Sequence, residues 1–122
     1  MARRDFLDRI EALLRVNVSP AAASTHDLRR MADHCVTTAE QAGLTTERAI
    51  AAFVLHMVRI NPEFHRQPIL AVILADTSVD ENSRMEHLLS GPTDADWEEA
   101  AVMCDPQRYW QPFRVPGPAP GP

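Results

Sequence analysis

The sequence predicts an all-α protein, a single compact domain of five or six helices followed by an extended, proline-rich C-terminal tail. Three observations lead to this fold class. Apolar residues recur at three- and four-residue steps through most of the chain. Polar segments containing proline, glycine or capping residues separate these stretches. One short apolar run would also suit a buried strand, but it has no second strand to pair with. We therefore predict a helical domain over residues 1–114 and a flexible tail over residues 115–122.

The first helix is predicted over residues 3–16, because its apolar residues share one face: Phe6, Ile10, Leu13 and Leu14. Charged residues lie largely on the opposite face, as in a helix with one side in water. Residues 17–20 end in a proline and break this helix. The small residues 21–24 that follow are expected to form a connector.

The second helix is predicted over residues 25–42, with Gly43 as the left-handed residue that follows its end. Its apolar stripe consists of small residues, so a neighbouring helix can approach closely. The third helix is predicted over residues 46–60, with Thr45 or Thr46 as its N-cap. Since it is apolar around much of its circumference, we expect it to be the central helix.

The fourth helix is predicted over residues 68–75, which are almost wholly apolar. Ser78 and Glu81 match the capping box, in which a serine and a glutamate each bond to a free backbone N–H at the start of a helix. The fifth helix is therefore expected to begin there and to run to about Leu89. It is expected to bury three residues: Met85, Leu88 and Leu89.

Thr93 or Asp94 is predicted to cap a sixth helix, and acidic side chains near its N-terminus interact favourably with the helix dipole. Its inner face is predicted to carry Trp97, Ala101 and Cys104, and it is expected to end at residues 105–106. All the helices together are predicted to pack around one apolar core: Ile50, Phe53, Val54, Met57, Ile69, Ile73 and Leu88.

Composition and charge make several functional classes improbable. The net charge of −5 argues against nucleic acid as a partner, because phosphate binding needs clustered cations. No apolar run reaches the roughly 20 residues that span a bilayer, and residues 1–15 lack the apolar core of a signal peptide. Cys35 and Cys104 are far apart, so two reduced thiols in a cytoplasmic protein are the simplest interpretation, with a single disulfide as the alternative. All 12 basic residues are arginine. Either a GC-rich genome favours arginine codons, or the protein uses the bidentate contacts that arginine makes with carboxylates and phosphates.

No catalytic motif is present, so the chain is not expected to be an enzyme or to need a cofactor. Walker, nucleophile-elbow and dinucleotide-binding patterns are all missing from the sequence. His34 precedes Cys35 directly, but neighbours in a helix point about 100° apart and so do not form a nucleophile–base pair. No metal site is predicted. The alternative from another class is a small metal-dependent enzyme or regulator that uses His56, His65 or His87.

The connector of residues 61–68 is the first candidate for a functional surface, because two prolines stiffen it. Phe64 is expected to point inward and to anchor the connector, leaving Glu63, His65 and Arg66 outward as contacts for a partner protein. A rigid loop presents side chains at a low cost in entropy, which suits recognition. The alternative is an ordinary connection between two helices.

The second candidate is a group of aromatic residues near the C-terminus, interleaved with Arg108 and Arg114: Trp97, Tyr109, Trp110 and Phe113. Tryptophan, tyrosine and arginine dominate the binding energy of many protein interfaces. These residues are therefore predicted to contact a partner. The alternative is that the segment folds back and closes the core.

Four segments carry a resemblance to a known group of proteins: residues 53–64, 67–68, 73–76 and 84–88. They supply an apolar helix, a turn with a phenylalanine, an Ile-Leu-Ala-Asp segment and an arginine before a leucine. This pattern resembles small uncharacterised helical proteins of bacterial type VI secretion gene clusters. The resemblance covers about residues 26–90 and implies a cytoplasmic accessory, adaptor or immunity protein without a cofactor.

We therefore expect a non-catalytic protein-binding function, as a chaperone-like accessory or adaptor of a secreted bacterial effector. The alternative within binding is an immunity protein that occludes the active site of a cognate toxin. In that case the acidic excess would complement a basic toxin surface and speed association. The sequence leaves the oligomeric state open.

Overall fold

Eight α-helices and two 3-10 turns make up the regular structure of residues 3–115, the part of the chain that the computed structural model describes. The helices are α1 Arg3–Asn17, α2 Pro20–Thr25, α3 Leu28–Gln41, α4 Glu47–Arg59, α5 Pro68–Ala75, α6 Glu81–Ser90, α7 Asp94–Ala100 and α8 Pro106–Trp110. The 3-10 turns are Phe64–Arg66 and Gln111–Phe113. The predicted all-α class is confirmed, and the predicted count of five or six helices is wrong.

Two of the additional helices begin at prolines that the sequence analysis took as breaks. Ser19 caps α2 by accepting a hydrogen bond from Ala22 N at 3.1 Å, so the connector predicted at residues 21–24 is helical. Asp105 caps α8 in the same way, accepting from Gln107 N at 3.0 Å. A proline in the first turn loses nothing there, because its missing N–H would have had no partner within the helix.

The centre of the fold is the packing of α1, α3 and α4 against one another. α3 begins after its cap Asp27, three residues later than predicted, and Gly43 takes the predicted left-handed conformation with φ of 94°. Thr46 caps α4, one of the two predicted possibilities. Most of the predicted core is confirmed as buried: Ile50, Phe53, Val54, Met57 and Leu88.

Three predictions about buried side chains on α5, α6 and α7 are wrong. Ile69 is 45% exposed and Leu89 is 67% exposed, while the predicted inner-face residue Ala101 also lies in solvent. On α5 the buried positions are instead Leu70 and Leu74. The reason on α5 is that all of its residues are apolar, so hydrophobicity alone does not identify the inward face.

The capping box predicted at Ser78 and Glu81 does not form. Asp80 is the N-cap of α6, accepting from Ser83 N at 3.0 Å. Glu81 is therefore free to reach the start of α4, where its carboxylate accepts from Thr45 N at 2.8 Å and from Thr46 N at 2.9 Å. This carboxylate joins the N-termini of α4 and α6.

The last third of the chain departs from its predicted boundaries. Thr93 caps α7 and forms a true capping box with Asp96. α7 ends at Ala100, short of the predicted end at residues 105–106. The polypeptide after α8 pairs briefly with the start of α3, because Asp27 N donates to Phe113 O at 2.8 Å.

None of the helices in residues 3–115 is long and apolar enough to cross a membrane. Cys35 is buried and Cys104 is half-buried, and both are free thiols. Of the tail predicted over residues 115–122, all but Val115 lies outside the described residues. The tail therefore stays a prediction.

Candidate protein-binding surface

The connector between α4 and α5 is fixed by Asn61, whose side chain is almost fully buried. Its Nδ2 donates to Ala101 O at 3.1 Å and to Cys104 O at 2.8 Å. Its Oδ1 accepts from Glu63 N at 2.9 Å and from Cys104 Sγ at 3.2 Å. A single buried amide thus binds the connector to the chain that follows α7.

Phe64 is the second anchor of the connector, and its predicted inward orientation is confirmed because it is fully buried. Its ring centroid lies 5.0 Å from that of Phe53 and 5.3 Å from that of His56. Tilted aromatic pairs at this distance add to the free energy gained from burial. The connector is therefore held at both its start and its middle.

The three connector residues predicted as contacts differ in accessibility. Arg66 has a side chain that is 66% exposed and pairs at 3.1 Å with Glu63, which is 26% exposed. His65 is half-buried, with its ring 5.1 Å from that of Phe53. Burial lowers the pKa of His65, and Arg66 lowers it further while Glu63 opposes this. Of the three, Arg66 offers the most surface to a partner.

α5 follows the connector directly and is clamped at both ends by buried polar side chains. Gln67 is the N-cap and accepts from Leu70 N at 2.9 Å. Arg84 of α6 donates to Leu74 O at 2.8 Å, near the C-terminal end of α5. Pro68 occupies the first helical turn, where its fixed φ suits a helix. These contacts fix α5 although it has only eight residues.

The outer face of α5 is apolar and lies in solvent. Val72 is 69% exposed and Ile69 is 45% exposed, whereas the inward side chains of the helix are buried. The described residues leave about half of the surface of Ile69 and most of that of Val72 uncovered. Ile69 is therefore not the core residue that its apolar character predicted, and the exposure of Val72 was not predicted. Because no residue between positions 68 and 75 is polar, the sequence contains no signal that tells the outward face of this helix from its inward face.

The C-terminal aromatic residues pack against their own chain. Trp97 stacks on His56 with ring centroids 5.6 Å apart. The other three surround the ring of His34: Tyr109 at a centroid distance of 5.6 Å, Trp110 at 6.1 Å and Phe113 at 5.1 Å. All four are half-buried. This geometry favours the alternative in which they close the core, and their contact with a partner stays a prediction.

The connector and the C-terminal segment lie near each other. Burial raises the pKa of Tyr109 to about 12, and the negative charge of Glu63 contributes to the same shift. Glu63 also raises the pKa of Cys104, after the larger effect of burial. The charge of Glu63 therefore acts on both Cys104 and Tyr109, while the exposed face of α5 begins beyond Arg66.

The histidines of the metal-dependent alternative do not converge. His56 and His65 each pack against the ring of Phe64, at centroid distances of 5.3 and 5.5 Å. His87 lies in the last turn of α6, on the exposed side. Across residues 3–115, no three histidine, cysteine, aspartate or glutamate side chains are grouped so that they could hold a metal ion.

Comparison of the chain with protein families, with curated proteins and with solved structures found no match. A function is therefore inferred from the protein's own surface. The features that bear on it are the clamped helix α5, its exposed apolar face and the adjoining Arg66.

Proposed function

We propose that this protein is a non-catalytic protein-binding module, an accessory or adaptor partner of a secreted bacterial effector, and that it binds through α5 and the adjoining connector. The observation that carries the proposal is the exposure of Val72 and Ile69 on a helix without a polar residue. A helix that is apolar on all sides is normally buried. Apolar surface that stays in water at such a helix is typical of an interaction site.

The rigidity of α5 supports this function. Gln67 and Arg84 are both buried and hold opposite ends of the helix by hydrogen bonds to its backbone. A surface that is ordered before binding loses little conformational entropy when the partner arrives. More of the free energy of apolar burial is then available for affinity.

The residues around the apolar face have the composition of an interface rim. Arg66 lies before the N-terminus of α5 and Asp76 follows its C-terminus, and both are exposed. Interfaces commonly place apolar side chains at the centre and charged residues at the edge. A partner with apolar side chains flanked by an acidic group near Arg66 and a basic group near Asp76 would fit this arrangement.

The nature of the partner rests on the resemblance described above. The segments that carry it include residues 67–68 and 73–76, which form the two ends of α5. A secreted effector of a type VI secretion cluster is the partner that this resemblance implies. Identification of the bound protein tests this part of the proposal separately from the binding surface.

The test is capture of the partner from a lysate of the native host on the immobilised full-length chain, comparing wild type, Val72→Asp and Val16→Asp. Val16 is a matched control, because it is an 81% exposed valine near the end of α1. We expect one stoichiometric protein on the wild type and on Val16→Asp, and its loss on Val72→Asp. Circular dichroism of each variant checks that the fold is kept.

Three results would count against the proposal. One is the lack of any stoichiometric protein on the wild-type chain, and another is equal capture by the Val72→Asp variant. The third is a homodimer, seen by analytical ultracentrifugation, that Val72→Asp converts to a monomer. That result would mean that a second copy of the chain covers α5.

A further inference from the structure

A cleft of about 530 Å³ lies between α1, α3 and the C-terminal 3-10 turn, apart from the α5 surface. Leu7 of α1 and Phe113 of the turn provide apolar walls. Five polar side chains of α3 line the same space: Arg29, Arg30, Asp33, His34 and Thr37. Small-molecule sites are commonly clefts of this size, largely apolar and with a few convergent polar groups.

The charges that line the cleft leave one arginine without a partner. Arg29 forms an ion pair with Asp8, and Asp33 lies 3.6 Å from Arg3. Arg30 pairs with no carboxylate anywhere in residues 3–115. The cleft therefore carries a cation that is available to an anion from outside the chain, although the protein as a whole has a net charge of −5.

Arg30 is held in position before any ligand arrives. Its guanidinium lies over the ring of Phe113 at 5.3 Å, and its NH1 donates to Pro112 O at 3.4 Å. A stacked guanidinium keeps several N–H donors directed outward in one plane, which suits a carboxylate. These contacts restrict the side chain in the free protein, which reduces the conformational entropy lost on binding.

His34 and Thr37 add neutral donors to the cleft. Burial lowers the pKa of His34, so its imidazole is neutral near pH 7, and its Nε2 lies 2.6 Å from the hydroxyl of Tyr109. When Tyr109 donates this bond, Nδ1 carries the imidazole proton and is the donor left for a ligand. Thr37 also lines the cleft, and its hydroxyl can donate or accept a hydrogen bond.

We propose that this cleft binds a small aromatic carboxylate, with the carboxylate on Arg30 and the apolar ring against Leu7 and Phe113. Thr37 and His34 supply further hydrogen bonds to the carboxylate. An anion without a ring would bind Arg30 but leave the apolar walls of the cleft in water. A neutral aromatic molecule would cover these walls but leave Arg30 without an anionic partner. Both parts of the ligand are therefore needed for full affinity.

The probe for this site is phenylacetate, titrated into the full-length ¹⁵N-labelled chain and followed by NMR. Acetate, inorganic phosphate and benzyl alcohol are titrated in parallel as the anion alone, a different anion and the neutral ring. We expect saturable shifts confined to amides around the cleft, with phenylacetate binding about tenfold or more tightly than each other probe. Equal or tighter binding of phosphate or acetate would overturn the aromatic part of the proposal.

Two variants locate the carboxylate. Arg30→Gln is expected to weaken phenylacetate binding about tenfold or more, since it removes a charged hydrogen bond. Arg15→Gln, an exposed residue in the last turn of α1, is the matched control and should bind like the wild type. Thr37→Val keeps the shape of the Thr37 side chain and leaves the stacking of Arg30 on Phe113 intact, but removes the hydroxyl. It should therefore weaken phenylacetate binding severalfold.

The state of His34 gives a further readout that does not depend on affinity. A carboxylate bound beside the imidazole favours its charged form, so saturating phenylacetate should raise the pKa of His34, measured from its ring shifts. Benzyl alcohol should not raise it. Unchanged His34 titration, or equal binding by Arg30→Gln and the wild type, would show that phenylacetate does not occupy this cleft.

Discussion

The imidazole Nε2 of His34 and the hydroxyl of Tyr109 lie 2.6 Å apart, although 75 positions separate the two residues in the chain. This hydrogen bond fastens α8 to α3. Trp110 and Phe113 complete the contact around the same imidazole, so that one polar side chain organises the aromatic segment. Its protonation state therefore matters for the stability of the C-terminal part of the fold.

Stability should fall on mild acidification because of His34. Burial lowers its pKa below the ordinary value of 6.5, and Asp33 opposes this only in part. Between the two pKa values the unfolded chain binds more protons than the folded chain. The contribution of His34 to stability is therefore fully present above about pH 6.5 and decreases as pH falls toward the lower folded-state pKa. Urea unfolding at pH 7.5, 6.5 and 5.5 measures how the free energy of unfolding changes with pH. This pH dependence should be smaller for His34→Gln than for the wild type.

Tyr109→Phe is the control for this pH dependence. It removes the hydrogen bond at a cost of about 1 kcal/mol but leaves the imidazole buried. Since burial is the main cause of the lowered pKa of His34, the slope should persist in this variant. A slope that survives in His34→Gln would assign the effect to other groups, including His65, whose pKa burial also lowers.

Asn61→Ala should destabilise the protein by about 2–3 kcal/mol, because it leaves two carbonyl oxygens, Ala101 O and Cys104 O, without their donor. Asn82→Ala is the comparison, since Asn82 Oδ1 is buried without a hydrogen-bond partner in residues 3–115. Its loss should cost less, about 1 kcal/mol or below. Urea unfolding at pH 7 compares the two, and equal costs would contradict the role given to Asn61.

Glu81→Gln should cost about 1–2 kcal/mol at pH 7, because the carboxylate accepts hydrogen bonds from Thr45 and Thr46. The hydrogen bonds from Thr45 are the main cause that lowers the pKa of Glu81 to about 2 from its ordinary 4.5. This contribution is present above about pH 4.5 and is lost as pH falls through about 2.

The difference between the wild type and Glu81→Gln should therefore shrink below pH 4 in urea titrations. Glu86→Gln is the matched control, an exposed glutamate on the same helix that makes no ion pair within residues 3–115. A comparable loss in that variant would show that the effect comes from charge on α6 rather than from the contact with α4.

The two sides of α5 should respond differently to truncation. Leu70→Ala removes a fully buried side chain and should cost about 2–5 kcal/mol. Val72→Ala, on the face that is 69% exposed, should change the free energy of unfolding by about 0.5 kcal/mol or less. Chemical denaturation of both variants gives the comparison, and a large loss for Val72→Ala would mean that this side chain is packed.

The sequence predicted well those parts of the fold that depend on local periodicity. α1 and α4 were found nearly at their observed boundaries, and α5 at residues 68–75 was found correctly. The stripe of α4 from Ile50 to Met57 was also identified, because its apolar side chains share one face of a long helix. Such a pattern survives in any tertiary arrangement.

The parts that failed depend on contacts between distant segments. Glu81 looks like one half of a local capping box, and its actual partners are 35 and 36 positions away. Asn61 was predicted only as the first residue of the connector, since nothing local shows that its amide meets two carbonyls beyond α7. The outward face of α5 was missed because all of its residues are equally apolar.

The attachment of α8 to α3 also sets an order for folding. The bonds from Asp27 N to Phe113 O and from His34 to Tyr109 each close a loop of most of the chain, so they form late and at an entropic cost. During translation α1, α3 and α4 can assemble first, while residues 106–115 are still to be synthesised. The aromatic covering of α3 is then missing, and a nascent or truncated chain presents that side of the helix to chaperones and proteases.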